Sequence, residues 1–383
     1  MRSSKAEWIA VALLLMSCLL PSRAKAQAPS PESAITLERQ GKLSEAEQVW
    51  RAIVQQNPSD AAAFASLGVV LSKERKYDEA AAAYEKAIVL NPALPGVQLN
   101  LGLAEFKQGH FQEAVARFRA VLAVDPNNLQ AATLLGLSYY GAKRFTQAVQ
   151  YLEPAAKSDP DNAELHQVLA QSCLFAKNYS CALDQFRLIL QKSPDSAATH
   201  MLSGEALDGL QRTPEAIDEF QAAAKVSPRE PNVHFGIGYL YWKSHQYNEA
   251  KREFEKELTV DPEQALSLAY LGDIAMKENN SDEALSLLRK AVGMTNDIQL
   301  AYIDMGAVLS EKGKYKDAVA ALQRAVELDP SQPDAHYRLA RAYKAMGRIP
   351  ESQQEYAKVQ ELHHESDDSL ASKIAVPPPP LPQ

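Results

Sequence analysis

A dipeptide that ends in proline returns every 34 residues through most of this 383-residue chain. Its copies are Asn57-Pro58, Asn91-Pro92, Asp125-Pro126, Asp159-Pro160, Ser193-Pro194, Ser227-Pro228 and Asp261-Pro262, and the same phase resumes at Asp329-Pro330. Proline stops a helix and is tolerated in the first turn of the next one. A fixed period of this length indicates an array of small units rather than a domain with a single centre.

The period divides residues 27–366 into ten units without an insertion or deletion. The units start at residues 27, 61, 95, 129, 163, 197, 231, 265, 299 and 333. The eighth residue of every unit is Gly or Ala, as in Ala34, Gly68 and Gly238. Glycine inside a helix costs about 0.5–1 kcal/mol relative to alanine, so its repeated use indicates that two helices approach closely there. We expect these small residues to face the alanine at the twentieth place, such as Ala80.

The repeated residues resemble the tetratricopeptide repeat, whose pattern is W-x₂-L-G-x₂-Y, then A-x₃-F, then P. The second unit carries the pattern most fully, with Phe64, Leu67, Gly68, Leu71, Tyr77, Ala80, Tyr84, Ala87 and Pro92. The resemblance covers residues 27 to about 366. It implies an all-α fold, a right-handed α-solenoid superhelix of about ten tandem helical hairpins.

In this family the first helix of each unit lines a concave groove, and its second, fifth, ninth and twelfth places tend to face inward. The resemblance therefore predicts a partner-binding groove that includes Leu103, Phe106, Leu137, Tyr140, Gln171, Met201, Glu205, Phe235, Tyr239, Trp242 and Asp273. These side chains are mainly apolar and aromatic, with scattered amides and acids, which suits a protein or peptide segment with hydrophobic anchors and basic residues. The alternative is that some of them only pack against the adjoining repeat. The family's lysine and asparagine clamp for a terminal carboxylate is matched only by the isolated Asn100 and Lys107.

The fifth unit contains two cysteines on either side of a predicted hairpin turn. Cys173 lies near the end of the first helix and Cys181 near the start of the second. Positions placed in this way about a turn can come within bonding distance, so we predict a disulfide between them; two free buried thiols are the alternative.

The first 26 residues are typical of a secretory signal peptide. Arg2 and Lys5 precede an apolar run from Trp8 to Leu20, and the small residues Ala24 and Ala26 follow it. The run is too short to span about 30 Å of hydrocarbon as a helix. We predict cleavage after Ala26 and a periplasmic or secreted chain with no membrane span. The alternative is a lipoprotein anchored through Cys18.

The charge of the chain argues against nucleic-acid partners. Without residues 1–26 it has 36 basic and 47 acidic residues, a net charge of −11, which repels phosphate. Residues 367–383 include the run Pro377–Pro380, and we predict that they form a disordered proline-rich tail. Whether this tail is a ligand for another protein stays open.

Motifs of catalysis and metal binding are missing from the sequence: there is no phosphate-binding loop, His-Glu-x-x-His, Cys-x-x-Cys or Gly-x-Ser-x-Gly. His166, His200, His234 and His336 share one place in the repeat and are interpreted as packing residues. We therefore predict no enzyme activity, cofactor or metal, and a protein-binding scaffold of the cell envelope. The alternative is an accessory or regulatory subunit of an envelope enzyme complex, such as a glycosyltransferase, a peptidase or secretion machinery. The partner and the oligomeric state stay open.

Overall fold

The computed structural model describes residues 29–374, which form twenty α-helices and no strand. Consecutive helices pair into ten hairpins in the phase that the sequence predicts, so the all-α repeat fold is confirmed. The chain divides into two compact units, which end and begin at Asp161 and Asn162. The predicted signal peptide, cleavage after Ala26, Cys18 and residues 375–383 lie outside the described residues.

The first unit contains four hairpins. Its helices are α1 Pro31–Arg39, α2 Leu43–Gln56, α3 Ala61–Lys73, α4 Tyr77–Leu90, α5 Val97–Lys107, α6 Phe111–Val124, α7 Leu129–Gly141 and α8 Phe145–Ser158. Helix α1 is short because it begins only at Pro31. Ser30 caps the helix, and Pro31 occupies its first turn.

The second unit contains six hairpins. Its helices are α9 Ala163–Phe175, α10 Tyr179–Lys192, α11 Ala197–Gly209, α12 Thr213–Val226, α13 Val233–Lys243, α14 Tyr247–Val260, α15 Ala265–Lys277, α16 Ser281–Met294, α17 Gln299–Glu311, α18 Tyr315–Leu328, α19 Pro333–Ala345 and α20 Ile349–Ile374. Helix α20 continues past residue 366, where the sequence predicted the tail to begin. No proline or glycine interrupts the chain between residues 367 and 374, so nothing there ends the helix.

The turn inside every hairpin has the same backbone geometry. Its fifteenth residue is left-handed in all ten hairpins; four of these residues are glycines, and the others include Arg75 and Lys143. The next N–H donates to the carbonyl five residues earlier, as Lys76 does to Leu71 at 2.9 Å. This Schellman turn satisfies the last carbonyls of the first helix and directs the chain into the second helix.

The small eighth residue makes room for a large side chain of its own hairpin. A Cβ on Gly68 would lie 2.6 Å from the ring of Tyr84, and a Cβ on Gly238 would lie 2.8 Å from the ring of Phe254. Both rings are fully buried. The alanine at the twentieth place also lies beside the small residue, as the carbonyl oxygen of Ala216 does at 3.3 Å from a Cβ on Gly204, but the side chain at the twenty-fourth place lies nearer.

Histidines bridge the two helices of four hairpins in the second unit; in one of them the Nδ1 of His166 lies 2.7 Å from the amide oxygen of Gln185. The Nδ1 atoms of His200, His234 and His336 lie 2.6–2.7 Å from carboxylate oxygens of glutamates nineteen residues later. These histidines therefore contribute both packing and a polar link within the hairpin.

First helices of successive hairpins contact one another within each unit: α3 contacts α5, and α15 contacts α17. Each first helix also packs against the second helix of its own hairpin. We call the surface that the first helices form in each unit its first-helix face. This face is where the predicted groove residues belong.

Candidate functional site

Aromatic side chains from two hairpins meet on the first-helix face of the second unit. Phe235, Tyr239 and Trp242 lie on α13 and Tyr270 lies on α15, and we call these four residues the aromatic cluster. The ring centroids of Trp242 and Tyr270 are 4.9 Å apart, and those of Tyr239 and Tyr270 are 5.8 Å apart. All four residues are half-buried. Rings placed in this way offer a large contact area at a low entropic cost, the property of residues that dominate binding energy at interfaces.

A buried carboxylate fixes the start of α13. Glu257 on α14 is fully buried, and its Oε1 accepts a hydrogen bond of 2.7 Å from the backbone N–H of Asn232. Its Oε2 accepts one of 3.1 Å from the N–H of Phe235. The first N–H groups of a helix have no partner within it, so Glu257 supplies a cap from the neighbouring helix. The ring of Phe235 also packs 5.8 Å from that of Phe254, a core residue. The aromatic cluster therefore stands on a fixed base.

Asp273 was predicted to line the groove, but its carboxylate is committed to other side chains. The residue is 2% exposed. Its Oδ2 accepts a hydrogen bond of 2.6 Å from the indole Nε1 of Trp242, and its Oδ1 accepts one from the Lys277 ammonium. That ammonium also lies 5.7 Å from the centre of the Trp242 ring. Asp273 therefore positions Trp242 and presents no free charge to a partner.

Asp304 on α17 is a buried acid. It is 3% exposed, its Oδ2 has no hydrogen-bond partner, and no ion pair reaches it within the described part of the chain. Burial, reinforced by Asp273, raises the pKa of Asp304 to about 8, against the opposing effects of Lys277 and Arg338. Burial also raises the pKa of Tyr270 to about 12, with smaller effects from neighbouring acids. An unpaired buried carboxyl is costly, so Asp304 requires an explanation.

The remaining predicted residues of the second unit lie on α9 and α11. Gln171 and Met201 are half-buried, and Glu205 is exposed. Nearby protein raises the pKa of the Glu205 carboxyl through desolvation. The neighbouring Asp208 accepts a hydrogen bond of 2.7 Å from Lys243 on α13, which ties hairpins six and seven together.

The four predicted residues of the first unit are also half-buried on its first-helix face. Phe106 on α5 packs against Phe111 at 5.5 Å between ring centroids, and Tyr140 on α7 packs against Phe145 at 5.9 Å. Phe111 and Phe145 begin the second helices of the same hairpins. Both predicted aromatic residues therefore help to pack their own hairpins.

A cavity of about 240 Å³ opens between the second and third hairpins. Its lining includes Leu103, Asn100 and Lys107. The two polar residues noted in the sequence therefore share one cavity of the first unit.

The sulfur atoms of Cys173 and Cys181 are bonded at 2.02 Å, with their Cα atoms 5.8 Å apart. The bond joins the end of α9 to the start of α10 across the left-handed turn at Lys177. Cys173 is fully buried.

Within residues 29–374, no three or more His, Cys, Asp or Glu side chains are grouped so that they could hold a metal ion. In the same range, no helix is both long and apolar enough to cross a membrane.

Sequence reasoning missed the sixth place of the repeat, which Tyr270 and Asp304 occupy. The signal was a change of residue type along the array. That place is held by Leu202 and Gly236 in hairpins six and seven, but by Tyr270, Asp304 and Arg338 in the next three.

Comparisons with protein families and solved structures match the repeat. Models described as tetratricopeptide repeat match residues 105–172, 139–206, 235–298 and 334–366, and a TPR repeat model matches residues 306–347. A model of the tetratricopeptide repeat protein 21 C-terminal ARM domain matches residues 33–133. No curated protein matches the chain.

Three similar solved structures are those of MamA MSR-1 C2, yeast Tom70 and YrrB, the last described as a TPR protein with an unusual peptide-binding site. MamA is 28% identical over 43% of this chain and 95% of its own, with a TM-score of 0.39. Tom70 is 15% identical over 86% of this chain and 91% of its own, with a TM-score of 0.43. YrrB is 21% identical over 49% of this chain and 97% of its own, with a TM-score of 0.39.

Proposed function

We propose that this chain, which carries tetratricopeptide repeats along most of residues 33–366, is a non-enzymatic protein-binding scaffold of the cell envelope. Its partner would bind as a peptide segment on the first-helix face of the second unit. The observation that carries this proposal is the aromatic cluster: Trp242, Tyr239 and Tyr270 contact one another yet are only half-buried.

The cluster is built in the manner of a preformed binding surface. Glu257 fixes the start of α13, and Asp273 holds the indole of Trp242 at its N–H. Rings that are held before binding lose little conformational freedom when a partner arrives, so more of the contact energy appears as affinity. An apolar side chain of the partner would be the anchor at this point.

The test compares capture of envelope proteins by the purified chain and by the variant Phe235→Ala/Tyr239→Ala/Trp242→Ala. We expect the wild type to retain a reproducible set of proteins, identified by mass spectrometry, that the variant loses. A milder variant, Tyr239→Arg, keeps Phe235 and Trp242 in place and adds a charge to the face; it should also lose them. Circular dichroism of each variant should retain the helical signal.

The matched control alters exposed residues on the second helix of the same hairpin, Arg252→Ala/Glu255→Ala/Thr259→Ala. It should capture the same proteins as the wild type. Retention of every captured protein by a folded Tyr239→Arg variant would contradict the proposed surface.

The envelope location rests on the signal peptide that the sequence predicts and has its own test. Mass spectrometry of the mature N-terminus should find a chain that begins at Gln27. A mature chain that begins at a lipidated Cys18 would show the lipoprotein alternative, anchored to the membrane, and a cytoplasmic chain that retains Met1 would contradict the envelope location.

A further inference from the structure

The first helices of hairpins six to nine carry an excess of acid. Across α11, α13, α15 and α17 there are five carboxylates and two lysines. The carboxylates, which we call the acidic stretch, belong to Glu205, Asp208, Asp273, Asp304 and Glu311. Both lysines are already paired, Lys243 with Asp208 and Lys277 with Asp273.

Three members of the acidic stretch therefore have no cationic partner among the described residues: Glu205, Asp304 and Glu311. Asp304 differs from the other two because it is buried and its Oδ2 accepts no hydrogen bond. A folded chain rarely leaves such a group unpaired, because its desolvation is not repaid. Alone, the carboxyl is driven toward its neutral form, and a cation beside it would restore the charged form.

The unpaired acids lie on both sides of the aromatic cluster along the array. Glu205 is on hairpin six, the cluster is on hairpins seven and eight, and Asp304 is on hairpin nine. On the next first helix, α19, the charge changes sign: Arg338 and Arg341 line a cavity of about 240 Å³ together with Glu311. The acidic stretch thus ends at hairpin nine.

We infer that the segment bound at this face is basic, with lysine or arginine side chains that reach Asp304 and Glu205 on either side of an apolar anchor on the aromatic cluster. This inference rests on the proposed function and specifies its partner by charge. A partner's ammonium or guanidinium would pair with Asp304 in a site that excludes water, where such a bond is strong. An acidic segment could not pair with Asp304 and would be repelled by the exposed carboxylates of Glu205 and Glu311.

The experiment selects binders from a displayed library of random 12-residue peptides on the full chain. Peptides that also bind the folded Phe235→Ala/Tyr239→Ala/Trp242→Ala variant, which has the same net charge as the wild type, are discarded, so that only users of the aromatic cluster remain. We expect the remaining peptides to be enriched in lysine and arginine near an aromatic or leucine residue. Enrichment of acidic or uncharged peptides would overturn the inference while leaving the proposed function intact. A selection that yields no cluster-dependent peptide would contradict the proposed function itself, and the inference with it.

A double-mutant cycle then assigns the contact with Asp304. Asp304→Asn should weaken a selected peptide about tenfold or more, and replacing the peptide's critical lysine by norleucine should do the same. The two changes together should cost little more than either alone, since each removes the same pair. Glu255→Gln, an equal change of net charge on the second helix α14, should leave the affinity unchanged. Wild-type affinity in Asp304→Asn would rule out this contact. So would losses of affinity that are additive with Asp304→Asn for every lysine of the peptide.

Discussion

The indole Nε1 of Trp242 donates a hydrogen bond of 2.6 Å to the Oδ2 of Asp273, which joins the first helices of hairpins seven and eight. Trp242→Phe keeps an aromatic ring but removes the donor and leaves the buried carboxylate with one partner fewer. We expect the free energy of unfolding, measured in urea, to fall by about 1–3 kcal/mol. Tyr239→Phe is the control, because no hydrogen bond to the Tyr239 hydroxyl occurs within the described residues. Equal stabilities of the two variants would contradict this role for Asp273.

Trp242 and Asp273 also mark the limit of what the sequence predicts. Both were assigned to the first-helix face because they occupy places of the 34-residue unit that tend to face inward in the family that the sequence resembles. Their contact depends on how one hairpin stacks on the next, and the period carries no information about that. The pairing of Cys173 with Cys181 was predictable because both lie in one hairpin. Asp304 was missed because its importance comes from neighbours on other hairpins.

The same distinction applies at the eighth place of the repeat. The sequence identified a close approach of two helices from Gly68 and its counterparts. It did not identify the contacting side chain, because alanine at the twentieth place and a large residue at the twenty-fourth, such as Tyr84, both recur with the same period. The rotation of the second helix about its own axis decides which of them lies nearer to the glycine, and in the structure it is the residue at the twenty-fourth place.

The raised pKa of Asp304 predicts a loss of stability with rising pH. The group titrates near 3.9 when unfolded and at about 8 when folded. Between these values the folded chain binds the extra proton, so the free energy of unfolding should fall as pH rises, by up to about 1.4 kcal/mol per pH unit. The stabilisation is complete below about pH 4 and is lost above the folded pKa.

Urea unfolding at a series of pH values between 5 and 8 measures this slope, and Asp304→Asn should flatten it. Glu47→Gln is the control of opposite sign. The hydrogen bond from Lys76 lowers the pKa of Glu47 to about 2, so its contribution is present above pH 4.5 and is lost only as the pH falls toward 2. A slope between pH 5 and 8 that persists in Asp304→Asn would exclude Asp304 as its source.

Gly238→Ala tests the steric reason for the small eighth residue. The new Cβ would lie 2.8 Å from the Phe254 ring, which is fully buried and cannot move aside. We expect the free energy of unfolding to fall by about 1–3 kcal/mol. Gly293→Ala on α16 is the matched control: it has no atom within 4 Å of the new Cβ, so it should raise stability by about 0.5–1 kcal/mol. Thermal or urea unfolding of both variants measures these changes. An unchanged free energy of unfolding in Gly238→Ala would contradict the packing argument.

The left-handed turn residues predict an order of stabilities. Lys143 has φ 58° and Gly109 has φ 81° at the same place of their hairpins. Lys143→Gly should raise the free energy of unfolding by up to about 1 kcal/mol, because the left-handed region penalises a side chain. Gly109→Ala should lower it by about 1 kcal/mol, although no atom lies within 4 Å of the new Cβ. Asn279→Gly should raise the free energy of unfolding less than Lys143→Gly does, since asparagine tolerates this conformation. A larger gain for Asn279→Gly in urea unfolding would contradict the backbone explanation.

The bond between Cys173 and Cys181 predicts that neither thiol is free in the native chain. Alkylation in denaturant without reductant, followed by mass spectrometry of the two cysteine-containing peptides, should leave both unlabelled; a reductant should allow both to react. Reading the peptides separately keeps any label on Cys18 out of the result. Because the bond closes a short loop, Cys173→Ala/Cys181→Ala should lower the free energy of unfolding by about 2 kcal/mol, and reductant should destabilise the wild type but not the variant. Full labelling of both peptides without reductant would show that the chain carries two thiols instead.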